Sequence, residues 1–222
     1  METKTNTQVK SKKRVTDHGE VFTAEREVNA MLDLVKHETE RIDSRFLEPA
    51  CGTGNFLAEI LRRKLAQVHK TYHKHIPDYE RYAFLAVSSI YGVELLPDNA
   101  LECRQRLFEI FDQAYTRTCK SEIKEQFRQT IRFLLERNIL CGNALTLKDD
   151  QGNPITFSEW SFINGRKVKR RDFHLSQLLD ASQSQMTIFM DGWEYDSEIG
   201  QYIPLPIREF PPIDFMEVQF AN

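Results

Sequence analysis

Three polar residues, each closing a short apolar run, carry most of the chemistry legible in this 222-residue sequence: Glu48, Glu94 and Asn143. Glu48 stands directly before Pro49-Ala50-Cys51-Gly52-Thr53-Gly54, and Asn55-Phe56 follow. Glycines at this spacing let a backbone approach a ligand with no Cβ in the way. A helix starting just beyond the turn would add free N–H groups and partial positive charge. The segment is neither GxGxxG nor a Walker A sequence, because no Gly-Lys-Ser/Thr follows. Glu48 would repel a pyrophosphate and suits the cationic end of a ligand. Glu94 can accept two ribose hydroxyls, and the Asn143 amide can hold the edge of an adenine.

Those residues need elements to position them. Val28, Met31, Leu32 and Val35 mark a helix that Thr23 could cap. Arg45-Phe46-Leu47 reads as a buried strand entering the Gly-rich turn, and Phe56, Leu57, Ile60, Leu61 and Leu65 as the helix leaving it. Ser89 to Glu94 is a second strand, followed by helices from Asp98 and from Ser121 to Asn138. Ile139 to Leu145 is a third strand. Strands alternating with helices predict an α/β fold with a parallel sheet and right-handed crossovers. The polar residues then sit at three successive strand ends and make one concave site. Residues 69–82 hold His69, His73 and His75 without acidic or cysteine partners at ligand spacing, so the segment reads as a solvated loop or helix end and no metal is expected.

A ligand with an ammonium and a sulfonium and no phosphate is S-adenosylmethionine (SAM). Glu48 to Phe56 resembles the SAM-binding motif of the DNA adenine-N6 methyltransferases of restriction–modification systems. His18-Gly19-Glu20-Val21-Phe22-Thr23 is similar to that family's second cofactor segment, although Thr23-Ala24 stands where Thr-Pro is usual. Tyr91-Gly92-Val93-Glu94 resembles the ribose motif, and Gly142-Asn143-Ala144-Leu145 the one after it. The resemblance implies a Rossmann-like methyltransferase fold, with SAM as cofactor and DNA as partner. It implies that Glu48, Pro49, Ala50, Cys51, Gly52, Gly54, Asn55, Phe56, Glu94, Asn143 and Ala144 line the cofactor site, with Phe22 and Thr23 over its methionine end.

The family's catalytic Asn/Asp/Ser-Pro-Pro-aromatic segment is not recognisable. The one Pro-Pro lies in Phe210-Pro211-Pro212-Ile213, whose first residue has no acceptor and whose last is not aromatic. It reads as a rigid edge segment. Three strands also leave a sheet edge open. The expected architecture is thus an abbreviated parallel sheet over residues 15–148, a basic disordered tail over 1–14, and an irregular β-rich extension over 149–222. That extension, a partner subunit or a second copy is expected to complete the sheet. Asn164-Gly165 suggests a hairpin turn. Arg166, Lys167, Lys169, Arg170 and Arg171 then form a candidate phosphate-contacting run, with Trp160 and Phe162 as exposed aromatics upstream. The competing reading is a charged strand edge that blocks aggregation.

Bulk properties set limits around this. A hydrophobic fraction of 41% is ordinary for a globular chain, and a net charge of −3 gives no global basic field. Cys51, Cys103, Cys119 and Cys141 form no CxxC pair. No leader and no apolar run near the roughly 18 residues of a membrane helix is visible. A cytoplasmic protein with reduced cysteines is expected.

Overall fold

The computed structural model describes residues 10–11, 13–14, 16, 21, 23–180, 193–197 and 201–221. Phe22 lies outside the described residues, as does most of the tail.

Helix α1 (Glu25–Asp33) starts at Ala24 rather than at a Thr23 cap. The Glu27 carboxylate accepts the Ala24 N–H at 3.3 Å, which satisfies one of the helix's free donors. The helix stops at Leu34, before Val35 can join its face. Val28 and Leu32 are buried, whereas Met31 and Val35 are exposed. A short α2 (Lys36–Thr39) leads to β1 (Phe46–Glu48). Helix α3 (Asn55–Tyr72) leaves the Gly-rich turn and buries Leu57, Ala58, Ile60, Leu61, Leu65 and Val68. Patterning reads 69–82 as solvated, but α3 runs to Tyr72 and α4 (Ile76–Ser88) begins four residues later, with Pro77 in its first turn. Its buried face is Tyr79, Ala83, Phe84 and Val87. The polar, tyrosine-rich composition hides that face. Glu80 on it is fully buried and satisfied by the Tyr115 hydroxyl (2.7 Å) and Lys124 (2.5 Å). His69 and His73 stack on each other, and His75 pairs with Asp78.

Strand β2 (Ile90–Glu94), helix α5 (Pro97–Cys119), helix α6 (Glu125–Asn138) and strand β3 (Ile139–Asn143) follow. The main sheet has the order β1-β2-β3-β4, where β4 is Lys148–Asp149. The first three strands are parallel and β4 is antiparallel to β3. This is an α/β fold with a mostly parallel sheet. Alternation along β2 sends Ile90 and Gly92 to one face and Tyr91 and Val93 to the other. The first face packs against the helices, in a core with Leu57, Leu61, Leu107, Phe111, Phe127 and Ile139. The second face is not covered by a helix layer. Ile155, Phe157 and Leu175 pack against Tyr91 and Val93 instead.

Those covering residues lie on or beside a hairpin: Phe157 within its first strand, Ile155 just before it, and Leu175 at the start of the helix that follows it. Strands β5 (Thr156–Asn164) and β6 (Lys167–His174) pair antiparallel around Gly165, whose φ is +53°. Helix α7 (Leu175–Asp180) follows. Strands β7 (Trp193–Asp196) and β8 (Gln201–Pro204) form a separate two-stranded unit. Strands β9 (Arg208–Glu209) and β10 (Ile213–Asp214) both pair with β6, and a 3-10 turn (Phe215–Phe220) closes the described chain. Phe215, Met216 and Val218 enter the same core as the helices, and Thr130 Oγ1 on α6 donates to the Met216 carbonyl at 2.9 Å.

Lys64 on α3 is fully buried below the sheet. Its Nζ donates to the carbonyls of Ile42 (3.0 Å) and Ser44 and to Ser89 Oγ (2.7 Å). It thereby pins the approaches to β1 and β2. Burial pushes this amine down to about 7.

Candidate functional site

The three parallel strands end on one side of the sheet, and the turns leaving them enclose a cleft of about 630 Å³. Strand β1 delivers Glu48 to its floor. Burial pushes the Glu48 carboxyl up, and a bond from the Ala50 backbone only partly offsets this. Glu48 has no ion-pair partner among the described residues, so it is a half-buried carboxylate suited to a cation.

The turn beyond Glu48 is built by its glycines. Gly52 and Gly54 both adopt left-handed backbone, at φ +53° and +84°, which carries no Cβ penalty for glycine. The Cys51 N–H donates to the Val93 carbonyl at 2.9 Å, and the Gly54 N–H to the Cys51 carbonyl at 2.7 Å. The turn is therefore tied to β2 as well as to β1. Gly52 faces the cleft. Gly54 does not: it is buried, and a Cβ there would lie 2.6 Å from Cys103 Sγ on α5. Its smallness serves helix–turn packing rather than close approach to a ligand.

Glu94, at the end of β2, is almost fully buried. Its Oε2 accepts the Gly52 N–H at 2.8 Å. Its Oε1 accepts the Leu96 N–H at 3.0 Å and the Asn99 amide at 3.3 Å. The carboxylate thus braces the Gly turn, and its further lone pairs remain for hydroxyl donors. Asn143, at the end of β3, accepts the Leu145 and Thr146 N–H groups at 2.8 and 3.3 Å through Oδ1. That fixes which way the amide points. Its Nδ2 has no partner among the described residues.

The cleft gathers Thr23, Glu48, Pro49, Ala50, Cys51, Gly52, Asn55, Phe56, Glu94, Asn143 and Ala144. Val21, Gly142 and Leu145, which stand inside the sequence motifs without being assigned to the site, also line it, as do Leu95, Leu96 and Asn99, which the sequence reading missed. Leu95-Leu96 directly after an acidic strand end was the available signal, since apolar walls are what an aromatic ring packs on. Asn99 had none, because its role is to hold Glu94 from within α5. Lys10 Nζ donates to Asn99 Oδ1 at 2.7 Å and pairs with Glu102 at 2.6 Å, while Arg14 pairs with Asp98. The Cys51 thiol is pushed up by its hydrogen bond with Cys103 and by burial, so it is a protonated wall and not a nucleophile.

A second hollow of about 420 Å³ lies beside β1, walled by Leu47, Tyr91, Phe157 and Phe173. Its charged rim pairs internally, Glu159 with both Arg45 and Arg171. It offers little to orient a polar ligand.

The basic run alternates along β6 rather than forming one free face. Arg170 is buried, donates to Asp172 at 2.8 and 2.7 Å, and stacks on Phe210 at 4.1 Å. Arg166 pairs with Asp214 at 2.7 Å, Lys169 with Glu209 at 2.6 Å, and Arg171 with Glu159 at 2.7 Å. Lys167 is exposed. Trp160 is buried and Phe162 half-buried, both against Phe84, so the expectation of exposed aromatics is corrected. Strand alternation turns them toward the helix layer.

The model of the family described as MmeI, DNA-methyltransferase domain, matches residues 22–165, more than half of the chain. The chain belongs to this DNA-methyltransferase domain family. The match begins at the segment that enters the cleft and ends at the tip of the β5–β6 hairpin. DNA methyltransferase A of Bacillus subtilis (strain 168) is 24% identical over 163 residues, covering 68% of this chain and 18% of that protein. The chain therefore spans about a fifth of the length of this curated relative. No solved structure matches it. Among the described residues, no helix is long and apolar enough to cross a membrane.

Proposed function

We propose that this chain is the SAM-binding, Rossmann-like part of a DNA adenine-N6 methyltransferase, working as a modification subunit of a restriction–modification or mobile-element system. One observation carries the reading. Glu48, Glu94 and Asn143 converge from three strand ends on a single cleft that the glycine turn opens. Glu48 has no cationic partner among the described residues and is raised by burial, which suits the ammonium of a methionine moiety better than a phosphate. Glu94 and its Asn99 partner suit ribose hydroxyls, and Leu95 and Leu96 an adenine face. Asn143 Nδ2 suits a ring nitrogen. SAM, when bound, supplies an electrophilic methyl group on a sulfonium. The chain's own contribution would be to bind and orient: Glu48 would neutralise the ammonium, Glu94 would accept the ribose hydroxyls, and the glycine turn would form the wall between them.

DNA is the proposed substrate. Lys167 is the member of the basic run with no ion-pair partner among the described residues, and so the one best placed to meet a phosphate. The residues that hold the acceptor base are either atypical or contributed by a partner subunit or second copy. A specific observation favours a second reading, a catalytically silent SAM-binding subunit acting with an active partner. Phe210, before the one Pro-Pro, is buried against Arg170 and Arg208 and does not line the cleft.

Calorimetry with SAM tests the pocket, and no binding at near-millimolar ligand would overturn both readings. Transfer of labelled methyl to unmethylated DNA, with and without proteins encoded beside this one, separates them. Transfer by the chain alone supports the first, and transfer only with a partner supports the second.

A further inference from the structure

Asn55 lines the cleft, yet both ends of its amide are spoken for. Its Oδ1 accepts a hydrogen bond from Arg106 Nη1 on α5. Its Nδ2 donates to the Thr23 carbonyl at 2.8 Å, across 32 residues of sequence. Arg106 Nη1 also lies 3.4 Å from the Thr53 carbonyl, inside the Gly-rich turn. Arg106 is donor-only, so it can engage only the oxygen of the Asn55 amide. That leaves the nitrogen aimed at Thr23. The cationic donor thus sets the orientation of a neutral amide, and the amide sets the position of a backbone carbonyl.

Thr23 matters because, with Val21, it brings to the cleft the segment that precedes every strand of the sheet. Downstream of it, α1 is already fastened to α3: Arg63 donates to Asn29 Oδ1 at 2.9 Å and pairs with Asp33 at 2.9 Å. The Asn55–Thr23 bond is the tie at the point where the chain turns from the cleft into α1.

We infer that Arg106 and Asn55 are positioning residues that hold the Thr23 wall against the Gly-rich turn and so set cofactor affinity, without either polar group touching the cofactor. The inference rests on the SAM reading of the cleft. It assigns Asn55 a different task from its neighbours in the motif: Glu48 and Gly52 present groups to the ligand, whereas Asn55 joins two halves of the wall.

Asn55→Asp separates positioning from stability. A carboxylate keeps the acceptor for Arg106 and strengthens that bond by charge. It also sits at the first residue of α3, where negative charge favours the helix. What it loses is the donor to Thr23, and it faces that carbonyl with an oxygen. The expected result is a melting temperature equal to or above the parent's, with affinity for S-adenosylhomocysteine in calorimetry reduced roughly tenfold, the size of a lost and repelling hydrogen bond. Arg106→Met should weaken binding similarly, and Arg106→Lys should restore part of it, because a donor returns. Unchanged affinity in Asn55→Asp overturns the inference. So does loss of affinity only in parallel with loss of stability across all three variants, which is the signature of a purely structural role. If the parent chain binds neither SAM nor S-adenosylhomocysteine, the cofactor reading falls and this inference with it. If the parent binds and Asn55→Asp binds equally well, the positioning role alone falls.

Discussion

Replacing Gly54 with alanine should destabilise the fold while leaving the surface of the cleft unaltered. Two terms set the size. Left-handed backbone at φ +84° costs a residue with a Cβ about 1–2 kcal/mol. The new Cβ would also sit 2.6 Å from the sulfur of Cys103, which is fully buried and cannot swing away into solvent. Overpacking of that kind costs about 1–3 kcal/mol. The two terms act on one atom and together amount to roughly 2–5 kcal/mol. A chain of this length loses about 2–4 °C per kcal/mol, so the melting temperature should fall on the order of 10 °C. Differential scanning fluorimetry of Gly54→Ala, Cys103→Ala and the double variant reads the terms apart. Cys103→Ala should remove the overlap, so the double variant should melt above Gly54→Ala and below the parent. A Gly54→Ala melting point within 2 °C of the parent refutes the reasoning. So does a double variant that is no better than the sum of the singles, because then Cys103 is not what the glycine makes room for.

Other outcomes follow from buried charge. Lys64 gives up its proton near pH 7 in the folded chain and near 10.5 when unfolded, so between these values the unfolded state holds more protons and stability should rise with pH. Urea midpoints between pH 7 and 9.5 should show that rise, and Lys64→Met should flatten it. Glu48, with its carboxyl raised, must be ionised to meet an ammonium. SAM affinity should therefore fall as pH drops through the upper carboxylate range, and a Glu48→Gln variant should bind weakly with little pH dependence in calorimetric titrations. Arg170→Ala leaves Asp172 buried and unpaired and should cost about 3–5 kcal/mol in chemical denaturation. Lys167→Glu should leave stability unchanged and weaken DNA retention at low salt, as read by a gel-shift titration.

The parallel core was legible because its strands are short apolar runs that end in polar residues, and its longest helices carry clean stripes. The site was legible for the same reason. Glu48, Glu94 and Asn143 are each the first polar group after such a run. Helix α4 was not legible, since its buried face contains Tyr79 and Glu80 among apolar residues, and burial of Glu80 depends on Tyr115 and Lys124 from elsewhere in the chain. The basic run misled for a related reason. Its partners Glu209 and Asp214 lie on β9 and β10, whose pairing with β6 cannot be read from local pattern, while Asp172 sits two residues beyond Arg170 on the same strand. Gly54 was placed in the right turn with the wrong neighbour, because spacing reveals a need for smallness and not what occupies the space.

The segment from Ile155 to Leu175 that covers Tyr91 and Val93 also dictates an order of events during synthesis. Strands β1 to β3 leave the ribosome before Ile155, Phe157 and Leu175, so the second face of the sheet is bare until the last third of the chain arrives. The link from Thr130 to Met216 spans 86 residues and closes later still. Contacts this distant in sequence slow folding and lengthen the time that apolar surface stays open. The nascent chain is therefore most vulnerable to aggregation while the cofactor cleft is already taking shape. A chain truncated before β5 should be recovered mainly as aggregate, even though it would keep every strand-end residue of the cleft.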